Sequence, residues 1–191
     1  VTTINIAADS RATAARTSPT CSAVAASRLP VGSSHRSRPG AFIIAFLGDT
    51  KNYSSDYPAI FNQVTQWLAD NKGARNIQFV VQDGDIVNND VSAEWNNARA
   101  AMQKLDGVIP YATVRGNHDI GSQFDFSTRF GPGSPYSQQP TLVDHYEVPG
   151  QPNFDMRNTV HKFEANGQKF MVITIDISAS NDVVAWANDI I

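Results

Sequence analysis

An α/β fold with a parallel sheet is what the sequence predicts, on three observations. Short apolar runs recur at Phe42–Leu47, Ile77–Val81 and Ile109–Val114. Segments with apolar residues at helical spacing lie between them. Each run leads into a polar cluster containing glycine. Strands separated by single helices pair in parallel, because a right-handed crossover is the way a helix packs back onto a twisted sheet.

The elements follow in order. Phe42–Leu47 (FIIAFL) is continuous in apolar character, as suits a strand buried on both faces, and Gly48 ends it. Pro58 marks a helix start, where its fixed φ fits and its missing N–H costs nothing. Ile60, Phe61, Val64, Trp67 and Leu68 then fall on one helical face, and Gly73 suits a stop. Ile77–Val81 (IQFVV) is the second strand. Val91, Trp95, Ala98, Met102 and Leu105 mark a second helix closed by Asp106-Gly107, and Ile109–Val114 is the third strand. Residues 121–158 hold five prolines and no sustained period, the pattern of a functional or lid-like insertion. Thr159–Ala165 and Gln168–Ile177 flank Asn166-Gly167, a strong hairpin signal. Val183, Val184, Trp186, Ala187 and Ile190 give a last helix over Asp182–Ile191. Trp67, Trp95 and Trp186 are expected in the core.

With 191 residues, 41% of them hydrophobic, the chain suits one domain and a tail. Residues 1–40 contain 20 Ser, Thr or Ala, five arginines and one acid. They show no strand or helix period, and so read as a disordered tail ahead of a domain at 41–191. That body carries ten Lys/Arg against seventeen Asp/Glu, a formal charge of −7. Such a balance disfavours a nucleic-acid-binding surface. No run approaches the roughly 20 apolar residues of a membrane span. Cys21 is the one cysteine, which excludes an internal disulfide and a multi-cysteine zinc site.

The chemistry collects after the strands. Gly48-Asp49-Thr50-Lys51 follows the first, Asp83-Gly84-Asp85-Ile86-Val87-Asn88 the second, and Gly116-Asn117-His118-Asp119 the third. Ligands of open α/β sheets bind beyond the carboxyl ends of the strands, so clusters 36 and 32 residues apart are expected to converge. Carboxylate, amide oxygen and imidazole together suit Mn, Fe or Zn. Neighbouring carboxylates repel one another unless a cation neutralises them. A dinucleotide or P-loop site is excluded on motif grounds.

Gly48-Asp49-x-Lys51, Gly84-Asp85-x-x-Asn88 and Gly116-Asn117-His118-Asp119 closely resemble the first three motifs of the calcineurin-like metallophosphoesterases, and most of all members whose first motif is Asp-Thr-Gln. The resemblance implies a metallophosphoesterase-like β-sandwich flanked by helices, hydrolysing a phosphate ester at a centre of two divalent or trivalent ions (Mn, Fe or Zn). Carried over by position, Asp49 would ligate the first metal, Asp85 would bridge, and Asn117 would ligate the second. His118 would stand beside the phosphate and protonate the leaving oxygen or stabilise the transition state, with Asp119 positioning it. Asn88 would hold the loops together or approach substrate. The family's later His and Gly-His-x-His motifs do not occur before Ile191, so the resemblance also implies a fold incomplete at its C-terminus. A sheet edge left open in that way favours self-association. Exported relatives lean the compartment towards secreted or periplasmic, while the residues themselves assign none.

Lys51 stands where the family has His or Gln. An ammonium has three donors and no acceptor and cannot ligate. Three alternatives stay open: Lys51 turns away and water fills the gap, the first metal binds weakly, or the ammonium contacts substrate phosphate. The competing functional reading is a degenerate, non-catalytic domain kept for binding or scaffolding. Of the other histidines, His145 is expected on a surface loop and His161 on the exposed face of a strand. Asp83 is expected to point away from the site or to support it from behind.

Overall fold

The computed structural model describes residues 4–8, 41–121, 125–147 and 156–191. In chain order the elements are β1 (Ile4–Ala8), β2 (Ile43–Leu47), α1 (Lys51–Ser55), α2 (Pro58–Arg75), β3 (Ile77–Gln82), α3 (Ser92–Met102), β4 (Tyr111–Ala112), α4 (Asp125–Phe130), β5 (Leu142–His145), β6 (Thr159–Ala165), β7 (Gln168–Thr174) and α5 (Asn181–Ile190). They form two sheets. β2-β3-β4 is parallel, and β1-β7-β6-β5 is antiparallel throughout. The chain is thus a mixed α/β fold.

β3 explains how the layers stack. Its side chains alternate across the sheet. Val80 faces a core made with Phe61 and Leu68 of α2 and Trp95, Ala98 and Met102 of α3. Phe79 and Val81 face the opposite way and join Val172 of β7 and Phe163 of β6. Phe79 stacks on Phe163 with ring centroids 4.7 Å apart and planes 6° from parallel. The far face of the antiparallel sheet is covered by α5, through Val160, Ile173 and Ala187 with Trp186 and Ile190.

Several expectations hold. Pro58 opens α2. The Asn166-Gly167 hairpin forms between β6 and β7, with φ of 53° and 72°. Positive φ at both central residues is the twist a two-residue hairpin turn requires. The three predicted parallel strands pair as expected.

Others are corrected. α2 does not stop at Gly73. It runs to Arg75, and Asn76 turns the chain in the left-handed region at φ 53°. β4 keeps only Tyr111 and Ala112 of the predicted Ile109–Val114, the two residues that pair with β3, and the Gln139 side chain bonds Tyr111 as well. Its Oε1 accepts from Tyr111 N at 2.7 Å and its Nε2 donates to Tyr111 O at 3.0 Å. β2 is not buried on both faces: it lies at one end of its sheet and Phe46 is 50% exposed. Trp67 is likewise not core. It is 49% exposed, and with Ala45, Phe46, Ile60 and Val64 it lines an open apolar groove beside β2. The stretch predicted to be irregular carries α4 and β5. Most of residues 1–40 lie outside the described residues, Cys21 and His35 among them. Ile4–Ala8, however, pairs with β7, so the expectation of a period-free tail does not hold for those five.

No helix among the described residues is long and apolar enough to cross a membrane.

Candidate metal centre

All three strand-end loops meet at Asp85. β3 delivers the chain through Asp83 and Gly84 into Asp85, which takes a left-handed φ of 48°. A short polar residue tolerates that region, at a cost its surroundings must cover. They do so from both neighbouring loops. Thr50 N donates to the Asp85 carbonyl at 3.1 Å. His118 N donates to Asp85 Oδ1 at 3.2 Å. Gly116 lies so close that a Cβ there would sit 2.1 Å from Asp85 Oδ1 and 2.3 Å from Asp85 N, so only glycine fits.

Asp119 locks the second and third loops together. Fully buried, its carboxylate accepts from Gly116 N at 2.8 Å, Val87 N at 2.9 Å and Ile86 N at 3.0 Å. Burial pushes its carboxyl up to about 6, against the three N–H groups, which favour the charged form. These three contacts act on the loops that carry Asp85 and His118, and none of them is to the imidazole. The imidazole is held by Asn88, whose carbonyl lies 2.8 Å from His118 Nδ1. A carbonyl only accepts, so Nδ1 carries the hydrogen, and Nε2 is left to hold or exchange a proton. Asn88 is fixed in turn by buried Glu94, which accepts from Asn88 N and Asn89 N at 2.8 Å each. The contribution of Asn88 to this geometry is made by its backbone.

Lys51 lies among the acids. Its Nζ is 2.8 Å from Asp49 Oδ2 and 3.2 Å from Asp85 Oδ2, while its N–H donates to Asp49 Oδ1 at 3.1 Å. Those hydrogen bonds, to Asp49 first and Asp85 second, hold its ammonium above the ordinary lysine value. Asp83 is half-buried, and burial raises its carboxyl, with Asp49 and Asp85 adding to the rise. Asn117 is exposed at the head of the third loop.

Four supports escaped the sequence reading. Buried Gln82 ties the three loops from below. It donates to Thr50 Oγ1 at 3.3 Å and to Gly84 O at 2.8 Å, and accepts from Thr113 Oγ1 at 3.0 Å. Glu94 holds Asn88, as above. Arg115 and Asp176 form a buried two-pronged pair, Nε to Oδ2 at 2.6 Å and Nη2 to Oδ1 at 3.1 Å, which joins the third loop to the end of β7. Burial alone would raise the Asp176 carboxyl, but the Arg115 and Ser178 contacts bring it below the ordinary value. The available signal was polarity at the end of an apolar run, at Gln82 after IQFVV and Asp176 after FMVITI, the same signal that marks Asp49 and Asp85.

The other histidines lie elsewhere. His161 is not exposed: it is fully buried between the sheets, and burial pushes it down to about 3. His145 ends β5 and is half-buried, not on an irregular surface loop, with Nε2 3.5 Å from Glu147 Oε1.

The three loops carry carboxylate and amide oxygens, at Asp49, Asp85 and Asn117, that could serve a cation. Both carboxylates are engaged through both oxygens, Asp49 by Lys51 alone and Asp85 by Lys51 and the His118 N–H. Among the described residues no three His, Cys, Asp or Glu side chains stand together as a ready metal site.

The sequence profile of calcineurin-like phosphoesterases matches residues 42–182. An uncharacterized protein of Bacillus subtilis (strain 168), YvnB, is 30% identical over 156 residues. The match covers 78% of this chain and 12% of that protein, so the chain spans a small part of the relative's length. No solved structure matches the chain. The profile match covers the three loops that meet at Asp85, together with both sheets from β2 through β7, and on it the chain belongs to the calcineurin-like phosphoesterase family, whose general chemistry is metal-dependent hydrolysis of phosphate esters.

Proposed function

We propose that this chain carries the loop cluster of a metal-dependent phosphate-ester hydrolase, with Asp49, Asp85 and Asn117 as the metal-side residues and His118 as the proton-handling group. The observation that carries the reading is the convergence of three loops on Asp85, two of them also clamped by Asp119. A bound ion would polarise a phosphoryl oxygen and lower the pKa of a coordinated water. Asp85 and Asn117 would hold it, with Asp49 on the adjoining loop. His118, with Nδ1–H given to Asn88, would donate from Nε2 as the imidazolium, passing that proton to the leaving oxygen and returning to the neutral ring. Asp119 acts as a positioning residue, through the loops and not through the imidazole. The two sheets meeting across Phe79 and Phe163, with helices outside both, support a β-sandwich flanked by helices. The two-metal form that the resemblance implies needs a donor where Lys51 stands.

The test is metal content. The chain is equilibrated with Mn or Zn, desalted, and assayed for metal per chain beside Asp85→Ala, with circular dichroism to verify folding. At least one ion in the wild type, lost in Asp85→Ala, is expected. A folded wild type that retains none overturns the reading and favours the second one, a non-catalytic domain used for binding or scaffolding. That second reading is favoured by the Lys51 ammonium, which neutralises Asp49 and Asp85 without any metal.

A further inference from the structure

We infer that Lys51 is a built-in cation that takes the place of one metal, so that this centre accepts a single divalent ion, on the Asp85 and Asn117 side. The inference rests on the hydrolase reading above and sharpens it.

Lys51 opens α1, and that turn is fastened to the second loop on both sides of residue 51. Thr50 N bonds the Asp85 carbonyl at 3.1 Å, and Ser54 Oγ bonds the Ile86 carbonyl at 2.6 Å. Residue 51 is thus held within reach of both acids by contacts that do not involve its own side chain. Its ammonium then bridges Asp49 Oδ2 and Asp85 Oδ2 at 2.8 and 3.2 Å. Asp49 is drawn to Lys51 from both sides, Oδ2 by the ammonium and Oδ1 by the Lys51 backbone N–H. Asp85 is divided, with Oδ2 on Lys51 and Oδ1 turned to the third loop, where His118 N donates to it. A cation between Asp49 and Asp85 would have to displace an ammonium of the same sign that is tethered two residues away and cannot diffuse off. The ammonium meets Asp85 through Oδ2 alone, so a cation held by Oδ1 and Asn117 would not have to displace it. Fixed positive charge beside a metal still serves a phosphate, since a lysine ammonium is an ordinary phosphate partner.

The experiment uses the whole chain, Mn²⁺ as the probe, and four proteins: wild type, Lys51→Gln, Lys51→Arg and Asp85→Ala. Metal per chain is measured after desalting, and electron paramagnetic resonance separates isolated Mn²⁺ from an exchange-coupled pair. Circular dichroism verifies that each variant folds. About one Mn²⁺ per chain with an isolated-ion spectrum is expected for wild type and for Lys51→Arg, which keeps the charge. Lys51→Gln removes the charge, supplies an amide oxygen, and is expected to double the content and give the coupled spectrum. Two ions in the wild type, or one in Lys51→Gln, overturn this inference and leave the hydrolase reading intact. No metal in either folded protein overturns both.

Discussion

His161 and His118 belong to two polar clusters of different make-up, one sealed between the sheets and one partly open at the strand ends. Between the sheets, His161 Nδ1 lies 3.2 Å from Thr141 Oγ1, and Nε2 lies 3.4 Å from the Tyr136 hydroxyl. Tyr136 also meets Thr159, which pairs with Thr174 across the β6–β7 ladder at 2.8 Å. The direct partners of this ring are neutral hydroxyls, and the Phe79 ring stands edge-on 5.4 Å away. Such a network closes on itself and keeps the imidazole uncharged. At the strand ends the partners are backbone groups and carboxylates, and the charges of Asp49, Lys51 and Asp85 are left partly open to solvent. Here backbone groups do the holding, so the side chains stay available. An imidazole's use here follows its enclosure: His161 is sealed in with both nitrogens facing hydroxyls, whereas half-buried His118 has Nδ1 fixed by a backbone carbonyl.

Asp119→Ala removes the clamp between the second and third loops. It orphans the N–H groups of Ile86, Val87 and Gly116 in a dry site, and at ~1 kcal/mol for each lost bond should destabilise the chain by about 3 kcal/mol in urea unfolding. A loss under ~1 kcal/mol would mean the loops are held by something else. His161 gives the next effect through pH. Its unfolded value is ordinary, near 6.5, and its folded value is about 3. The unfolded chain therefore takes up the proton first on acidification. The contribution is fully present above pH 6.5 and declines as pH falls towards 3, by up to ~1.4 kcal/mol per pH unit. Measured against His161→Gln, which cannot titrate, wild-type stability should fall more steeply over that window. Parallel curves would show that the ring is not held neutral. The smallest effect is expected at Trp67→Ala. With half its surface already in solvent, the change should cost less than ~1 kcal/mol in the same assay, far below the 3–5 kcal/mol typical of a buried tryptophan such as Trp95.

The same contrast explains what could be read in advance. β3 was legible because IQFVV is buried on both faces, and the three loops were legible because glycine and acids after such a strand have few other uses. The hairpin was legible because Asn166-Gly167 fixes its own turn. Trp67 and Phe46 were misplaced because helical and strand periods show which residues share a face, not whether another element covers that face. His161 was misplaced because period-two alternation assumes one wet face, and both faces of β6 are covered here. The clamp on the third loop could not be found locally: Arg115 and its partner Asp176 are 61 residues apart. Lys51 was visible as an anomaly, but its meaning needed the distances to both acids.

The contact of Gly116 with Asp85 has a consequence for how this centre can vary. Gly84 presses on the same spot, 3.0 Å from Gly116 N when measured from where a Cβ would stand. Two loops that touch through two missing side chains share a single hinge pin. Neither can be lengthened, shortened or re-sequenced at that point without pushing the other, and with it the carboxylate at the centre. Variation that alters what such a centre accepts must therefore enter from the periphery, through the surrounding walls, while the pin itself has nowhere to move.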